Sequence, residues 1–384
     1  MIFYSEQNVY EAAKDRIRYL FREFPDRKFG VAISGGKDST VVLHLCKEVM
    51  DEMGIPKIAV IFLDQELEAP QVVEYVREIM HRDWVEPYWI QSYFREWNSS
   101  KGEWFHVWGP GENWAREKEP DSYGDMDFDV KESFRFVLSS VFSQCVGEDG
   151  VILGGVRIEE SPDRRAGLTN SVCYDDGKGT VITWGKKTRK NMLHFYPIWD
   201  WSTNDVWYYI FSNRIPYCKL YNYYFSRKPL NKCRVSSFIH ENSIQGLKEI
   251  KEIAPQFYEA ALRRVKNINS TVQAYDKLWE YVGRLPVYFK DWDEYIYYLC
   301  DHIVDDPKCA AKMKKRYTYY VNRWRKAFGK WQEGVDFANN LQGEYAAKAV
   351  IAEDTDMSKL TNRQLDLFIY KKQHESEIIA ANKE

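Results

Sequence analysis

The sequence predicts an α/β fold, a doubly wound and mostly parallel sheet followed by an all-helical C-terminal region. Three observations carry that expectation. Short apolar runs alternate with amphipathic segments of helical period over residues 29–156. Three of those runs end in polar residues suited to ligand chemistry, Ser34, Asp64 and Arg157. From about Pro229 onward the strand signal disappears and apolar positions recur at helix spacing. Alternating strands and helices imply a parallel sheet covered on both faces, with ligands bound at the carboxyl ends of its strands.

The elements follow in order. Val9 to Phe24 places Ala12, Ala13, Ile17, Leu20 and Phe21 on one face, which reads as a helix ended by Pro25. Phe29–Ser34 is a buried strand, Asp38–Met50 a helix, Ile58–Asp64 a second strand and Pro70–His81 a second helix. Pro87–Gln91 reads as a short third strand, Lys131–Val146 as a helix and Val151–Val156 as a further strand. Residues 92–130, rich in Trp, Gly, Pro and acidic side chains, exceed an ordinary loop and read as an active-site insertion. Residues 174–191 read as a hairpin with a basic tip, either a lid or a solvated loop. Ser202 or Thr203 N-caps a helix that carries Asp205 in its first turn. Helix-period segments then run over Ala254–Asn267, Thr271–Val282, Trp292–Ile303, Ala310–Trp331 and Thr361–Ala381. This divides the chain into an α/β domain, 1–228, and a helical domain, 229–384.

Composition narrows the class. With 45% apolar and 29% charged residues the chain reads as globular, and no run of about 18 apolar residues suggests a membrane span. The N-terminus lacks a basic region followed by an apolar stretch, so a cytoplasmic location is expected. Seven cysteines with no CxxC spacing disfavour a disulfide framework, a zinc site and an iron–sulfur cluster. A net charge of −3 gives no global sign of nucleic-acid binding. Locally, Lys312–Gln332 holds eight Lys or Arg residues and no acid, interleaved with tyrosines and tryptophans. It is either a nucleic-acid or acidic-partner face, or a solvated helix face opposite an aromatic core stripe.

The chemistry concentrates at Ser34-Gly35-Gly36-Lys37-Asp38-Ser39, between an apolar strand and an amphipathic helix. Two glycines permit a sharp turn with N–H groups pointing inward, and the helix adds its unpaired amides and positive dipole end. Lys37 supplies mobile charge, Asp38 a ligand for magnesium, and Ser34 and Ser39 hydrogen bonds to phosphate oxygens. The usual P-loop pattern fails twice, because Val31 stands where glycine is required and Asp38 follows the lysine. A second constellation, Gly154 to Arg165, follows the last strand, with Arg157 and Arg164 placed to neutralise a second anion and Glu160 to orient Arg157 or bind metal. An ion-paired turn without a ligand would show the same residues.

The six-residue loop resembles the PP-loop of the ATP pyrophosphatase superfamily. Together with Asp64, Gly155-x-Arg157-x-x-Glu160-Ser161-x-x-Arg164 and Pro197-Ile198-x-Asp200-Trp201, it resembles the phosphoadenosine phosphosulfate (PAPS) reductase family over roughly residues 25–225. Arg214 to Tyr221 resembles that family's substrate-closing segment, and Asn222 to Asn269 is similar to the immunoglobulin-binding-regulator A branch, with its helical C-terminal region. The resemblance implies an adenine nucleotide α-hydrolase-like fold that binds ATP or PAPS. It implies nucleotide contacts from Ser34, Gly35, Gly36, Lys37, Asp38, Ser39, Asp64, Gly155, Glu160 and Ser161, and chemistry by Lys37, Asp38, Arg157 and Arg164, with magnesium on Asp38. It also suggests a ParB/sulfiredoxin-like protein partner, and leaves oligomerisation open.

Two features depart from the reductases. Those enzymes act through a cysteine in a flexible C-terminal tail, whereas no cysteine follows Cys309 here, and they tend to lose the intact loop that this sequence keeps. Both favour cleavage of ATP between the α and β phosphates to adenylate an acceptor, with sulfur metabolism or sulfur modification of nucleic acid as special cases. A sulfur carrier would be Cys233, whose Lys-Cys-Arg context is expected to lower its pKa, and next Cys173, while Cys46 reads as inert core. The alternatives are a PAPS-dependent reductase or sulfotransferase-like enzyme, and a nucleotide-sensing regulatory or defence protein.

Overall fold

Every strand-forming run pairs into one sheet, or into small ribbons beside it. The computed structural model describes residues 7–98, 103–124, 126–129, 134–188, 191–238, 241–265, 268, 288–302 and 307–328. Helix α1 (Val9–Glu23) begins at Asn8, whose side chain accepts from the Glu11 amide, and buries Ala13, Ile17, Leu20 and Phe21 on one stripe. Fully burying residues such as Ile17 and Leu20 contributes about 1.5–3 kcal/mol each. There follow β1 (Phe29–Ala32), α2 (Lys37–Met53), β2 (Ile58–Leu63), α3 (Pro70–Met80) and β3 (Val85–Ile90). After a ribbon of β4 (Phe94–Asn98) and β5 (Glu103–Val107) come α4 (Phe134–Val146) and β6 (Val151–Leu153).

The main sheet has the order β3-β2-β1-β6-β10-β9, where β9 is Gly185–Lys187 and β10 is Leu193–Phe195. All pairs are parallel except β9 against β10 at one edge. The chain therefore winds outward from β1 in one direction through β2 and β3, and in the other through β6 and β10. Strand order reverses between β1 and β6, the place where open α/β sheets bind ligands. Helix α4 presses so closely on this centre that a Cβ at Gly30 would meet Val146 at 2.8 Å. Pro87 is tolerated because β3 lies at the sheet's edge.

The strand expected over Val151–Val156 stops at Leu153, because Gly154 and Gly155 turn toward α2. The single hairpin expected over 174–191 is two, β7 (Tyr174–Asp175) with β8 (Val181–Ile182), then β9 with β10. Beyond the sheet lie α5 (Pro162–Thr169), α6 (Thr203–Ser212), α7 (Leu220–Phe225), α8 (Glu241–Ile253) and α9 (Pro255–Arg264). Helix α6 starts with the capping box Ser202/Asp205.

Two compact units divide after Lys266, so α8 and α9 belong to the unit that holds the sheet. The second unit contains the helices Trp292–His302 and Pro307–Phe328, paired antiparallel through Tyr297–Thr318, Tyr317–Asp293 and Lys314–Asp301 contacts. Its basic segment thus has Tyr317 buried and Lys314 ion-paired. The helices expected at 271–282 and 361–381 lie outside the described residues.

Candidate active site

The turn between β1 and α2 is shaped by its glycines. Gly35 has φ +70°, and a Cβ there would also meet Val72 at 2.7 Å. Gly36 is the N-cap of α2 and offers no side chain to cap it. The Ser39 hydroxyl ties the turn together, accepting from the Ser34 amide at 3.2 Å and donating to the Gly36 carbonyl at 3.0 Å. The amides of Gly35, Asp38 and Ser39 donate to no acceptor among the described residues. A tight turn with uncapped amides at the start of a 17-residue helix is built for an anion. Lys37 is only 5% exposed, and its Nζ lies 2.9 Å from Asp38 Oδ2.

Gly155 lies just after β6, on the other side of the strand-order reversal. A Cβ on it would stand 2.6 Å from the Asp38 carbonyl carbon and 2.7 Å from the Ser39 amide nitrogen. Its role is close approach of two backbones, with an ordinary φ. Two residues later Arg157, 2% exposed, donates from Nε to Asp38 Oδ1 at 2.6 Å and from one terminal nitrogen to Glu159 at 2.8 Å and the Trp201 carbonyl at 3.0 Å. Glu159 in turn accepts from the Thr203 amide at 2.6 Å and hydroxyl at 2.9 Å; burial raises its pKa, but the Arg157 bond and then the two Thr203 bonds outweigh burial and lower it. This corrects the expectation that Arg157 holds a second anion. Its guanidinium is occupied by Asp38, Glu159 and α6, and it positions Asp38.

Arg164, expected to neutralise a second anion, lies in α5 with its side chain beside Glu160. Its side chain is 46% exposed and pairs with Glu160, and partial desolvation of the covered part, followed by the neighbouring charge of Arg234, lowers its pKa. Glu160 therefore orients Arg164 more closely than Arg157, from which it is 4.0 Å away. Ser161 caps α5, accepting from the Arg164 amide at 3.1 Å, which assigns its oxygen to the fold. Arg234, exposed and in the segment after α7, was not singled out by the sequence. The only signal was its place in the charged Lys232-Cys233-Arg234 string.

Asp64 does not face the site as expected. It is fully buried, and its carboxylate accepts from the Glu66 amide at 2.9 Å, Trp89 Nε1 at 2.7 Å, Gln91 Nε2 at 2.9 Å and Arg116. A carboxylate with that many donors is committed to holding the 103–124 segment against β2 and β3. Beside it Glu66, at φ +69°, accepts from the Trp108 and Ala115 amides at 2.9 Å each and forms a fork with Arg264 of α9 at 2.6 and 3.1 Å. The two neighbouring acids Glu68 and Glu96 are pushed up to about 8 by burial. The insertion thus encloses buried carboxylates at the end of β2.

The cysteines also differ from expectation. Cys233 has no exposed surface, its thiol donates to the Pro229 carbonyl at 3.5 Å, and burial raises its pKa despite Lys228 and Lys37 nearby. Cys173 is half-buried, its pKa pushed up to about 11 by the same cause. Neither environment makes a thiolate at neutral pH. Cys46 is core, as expected.

No group of three or more His, Cys, Asp or Glu able to hold a metal ion occurs among the described residues, and in the loop itself the one carboxylate is Asp38, which would share an ion with phosphate oxygens. That donor set suits magnesium, which commonly takes one or two carboxylates together with phosphates and water. No helix among the described residues is long and apolar enough to cross a membrane.

The uncharacterized protein YbdN of Escherichia coli (strain K12) is 28% identical over 364 residues, covering 89% of this chain and 85% of the relative. Among solved structures, FMN adenylyltransferase of Candida glabrata matches at 17% identity and TM-score 0.35, over 58% of this chain and 63% of its own. This chain thus spans less than two thirds of that enzyme. PAPS reductase of Candida auris matches at 15% identity and TM-score 0.28, over 58% and 93%. The U34-tRNA thiolase NcsA of Methanococcus maripaludis, with its [4Fe-4S] cluster, matches at 15% and TM-score 0.30, over 71% and 80%. The family model for the phosphoadenosine phosphosulfate reductase domain matches residues 28–227, more than half of the chain, from the start of β1 to just past α7. The chain belongs to the phosphoadenosine phosphosulfate reductase domain family.

Proposed function

We propose that the chain cleaves ATP between its α and β phosphates, releasing pyrophosphate and transferring the adenylyl group to an acceptor. The observation that carries this reading is the intact loop, with free amides at Gly35, Asp38 and Ser39 and a nearly buried Lys37 in the same turn. Pyrophosphate is the charge such a cradle stabilises as it leaves. Lys37 turns its ammonium from Asp38 to the β and γ phosphates, and Asp38 stays in place through Arg157. Magnesium would be held by Asp38 and the phosphates, and it supplies charge neutralisation on the leaving group. Arg164 and Arg234 supply the second cationic locus, for the acceptor or the α-phosphate. Thiol attack by Cys233 or Cys173 is disfavoured because burial keeps both protonated.

The same two arginines also suit a nucleotide with an extra phosphate or sulfate, so PAPS is the second nucleotide to test. The decisive experiment incubates the protein with magnesium and ATP labelled at the α- or γ-phosphate, beside PAPS, and separates products by charge. Labelled pyrophosphate with AMP or an adenylated species, lost in Lys37→Ala, supports the proposal. Turnover unchanged by Lys37→Ala refutes it, and conversion of PAPS to adenosine bisphosphate replaces it with a PAPS-dependent reaction.

A further inference from the structure

The loop amide that follows Gly36 is not empty. Lys37 N–H donates to the phenol oxygen of Tyr221 at 2.9 Å, from a residue 184 positions away on α7. That oxygen lies 3.6 Å from where a Cβ on Gly36 would stand, at the crest of the turn. The side chain is 1% exposed, with its ring held edge-on against Trp207 at 4.9 Å and stacked near Phe225 at 6.3 Å. Phenylalanine would fill that space equally well, so packing does not account for the hydroxyl. Its oxygen accepts from Lys37, yet its own hydrogen finds no acceptor among the described residues. Buried polar hydrogens are almost always paired, and an unused one at an anion cradle marks where an acceptor comes. Burial, and after it the charge of Asp38, keeps the phenol protonated and able to donate.

We propose that Tyr221 is a pyrophosphate-binding residue that relays the first amide of α2 to a phosphate oxygen. This inference rests on the functional reading above. The chain of donors runs from Lys37 N–H to the Tyr221 oxygen and from Tyr221 O–H to the phosphate. Each link polarises the next, so the phenol is a stronger donor than an isolated one and carries the positive end of the helix dipole one bond further out. It also sets how deeply a phosphate sits, since Lys37 N–H already donates to the phenol.

The test is equilibrium binding of inorganic pyrophosphate with magnesium to the full chain, wild type against Tyr221→Phe, with melting temperature measured in parallel. Loss of one such hydrogen bond is expected to weaken pyrophosphate binding about five- to tenfold with little change in melting. Unchanged or tighter binding overturns the inference, because the phenol is then idle or in the way. A lowered melting temperature with unchanged affinity overturns it as well. Incorporation of 3-fluorotyrosine at position 221 gives a readout that does not need the variant to fold. Its fluorine resonance must shift on saturation with pyrophosphate, and a resonance that stays fixed sinks the relay. Wild-type protein that binds no pyrophosphate at all brings down the functional reading itself, and this inference with it.

Discussion

Gly155→Ala isolates the contact on which the proposed site depends. The new methyl carbon would stand 2.6 Å from the Asp38 carbonyl carbon, 2.7 Å from the Ser39 nitrogen and 2.9 Å from the Asp38 oxygen. All three are backbone atoms in the first turn of α2, so no side chain can swing aside. Restoring ordinary contact, 3.4 Å or more, requires α2 and the Gly154–Arg157 turn to part by about 0.8 Å. Overpacking of this kind costs about 1–3 kcal/mol, roughly a 2–12 °C fall in melting temperature for a unit of this size. The displacement falls on the amides of Asp38 and Ser39 and on the Arg157–Asp38 bond, so ATP affinity is expected to fall at least about tenfold. Gly167 in α5 is the internal control, because a Cβ there meets nothing within 4 Å. Gly167→Ala should stabilise by about 0.5–1 kcal/mol and leave ATP binding alone. Thermal unfolding and titration calorimetry measure both effects. A Gly155→Ala protein that melts and binds ATP as wild type does refutes the reasoning about this backbone contact.

Burial raises the Glu96 carboxyl from 4.5 to about 8, so between those values the folded protein keeps a proton that the unfolded chain releases. Its contribution is whole below the lower value and is lost as pH rises through the upper one; Glu96→Gln should therefore gain on wild type in urea titrations between pH 5 and 8, and a constant difference would show the carboxyl to be ionised. Native Cys233 and Cys173 should resist iodoacetamide at pH 8 under conditions that alkylate an exposed thiol, and Cys233→Ser should keep ATP turnover; rapid labelling of Cys233 would restore the sulfur-carrier role. Arg164→Ala and Arg234→Ala should each weaken nucleotide or acceptor binding, with a coupling of about 0.5–3 kcal/mol in the double variant, and strict additivity in calorimetry would mean they serve different anions.

What the sequence made legible was local. The β1–α2 turn, the alternation of strands and helices and the Ser202/Asp205 capping box each arise from residues within one turn or one strand of each other. The unread part was tertiary. Asp64 ends its strand in the position of a ligand-binding acid, but Trp89, Gln91 and Arg116 converge on it from other segments and consume its acceptor capacity. Arg157 and Arg164 look equivalent in sequence, yet one is sealed at 2% exposure against Asp38, 119 positions away, and the other stays 46% open. Cys233 sits between a lysine and an arginine, which predicts an acidic thiol. The fold turns it inward among carbonyl groups, and desolvation outweighs the cations that do lie near it in space, Lys228 and Lys37.

The segment from Tyr221 to Phe238 explains why these omissions fall together. It leaves α7 with the Tyr221 phenol on the Lys37 amide, buries Cys233, places Arg234 beside Arg164 and brings the Val235 carbonyl to 3.8 Å from a Cβ position on Gly36. It is then anchored where Phe238 N–H donates to the Leu67 carbonyl at 3.0 Å, on the loop that Glu66 ties to Arg264. The phosphate loop is thus roofed by residues that follow the sheet in sequence, most of them in a stretch with little periodicity to read. Lys37 is left 5% exposed beneath that roof, while Arg164 and Arg234 stay at the surface beside it. A polyanion approaching the loop meets these two arginines before Lys37. In the proposed reaction the open cations attract and orient it, and the buried lysine, uncapped amides and buried Tyr221 hydroxyl would make the stronger contacts with charge that develops on the leaving pyrophosphate.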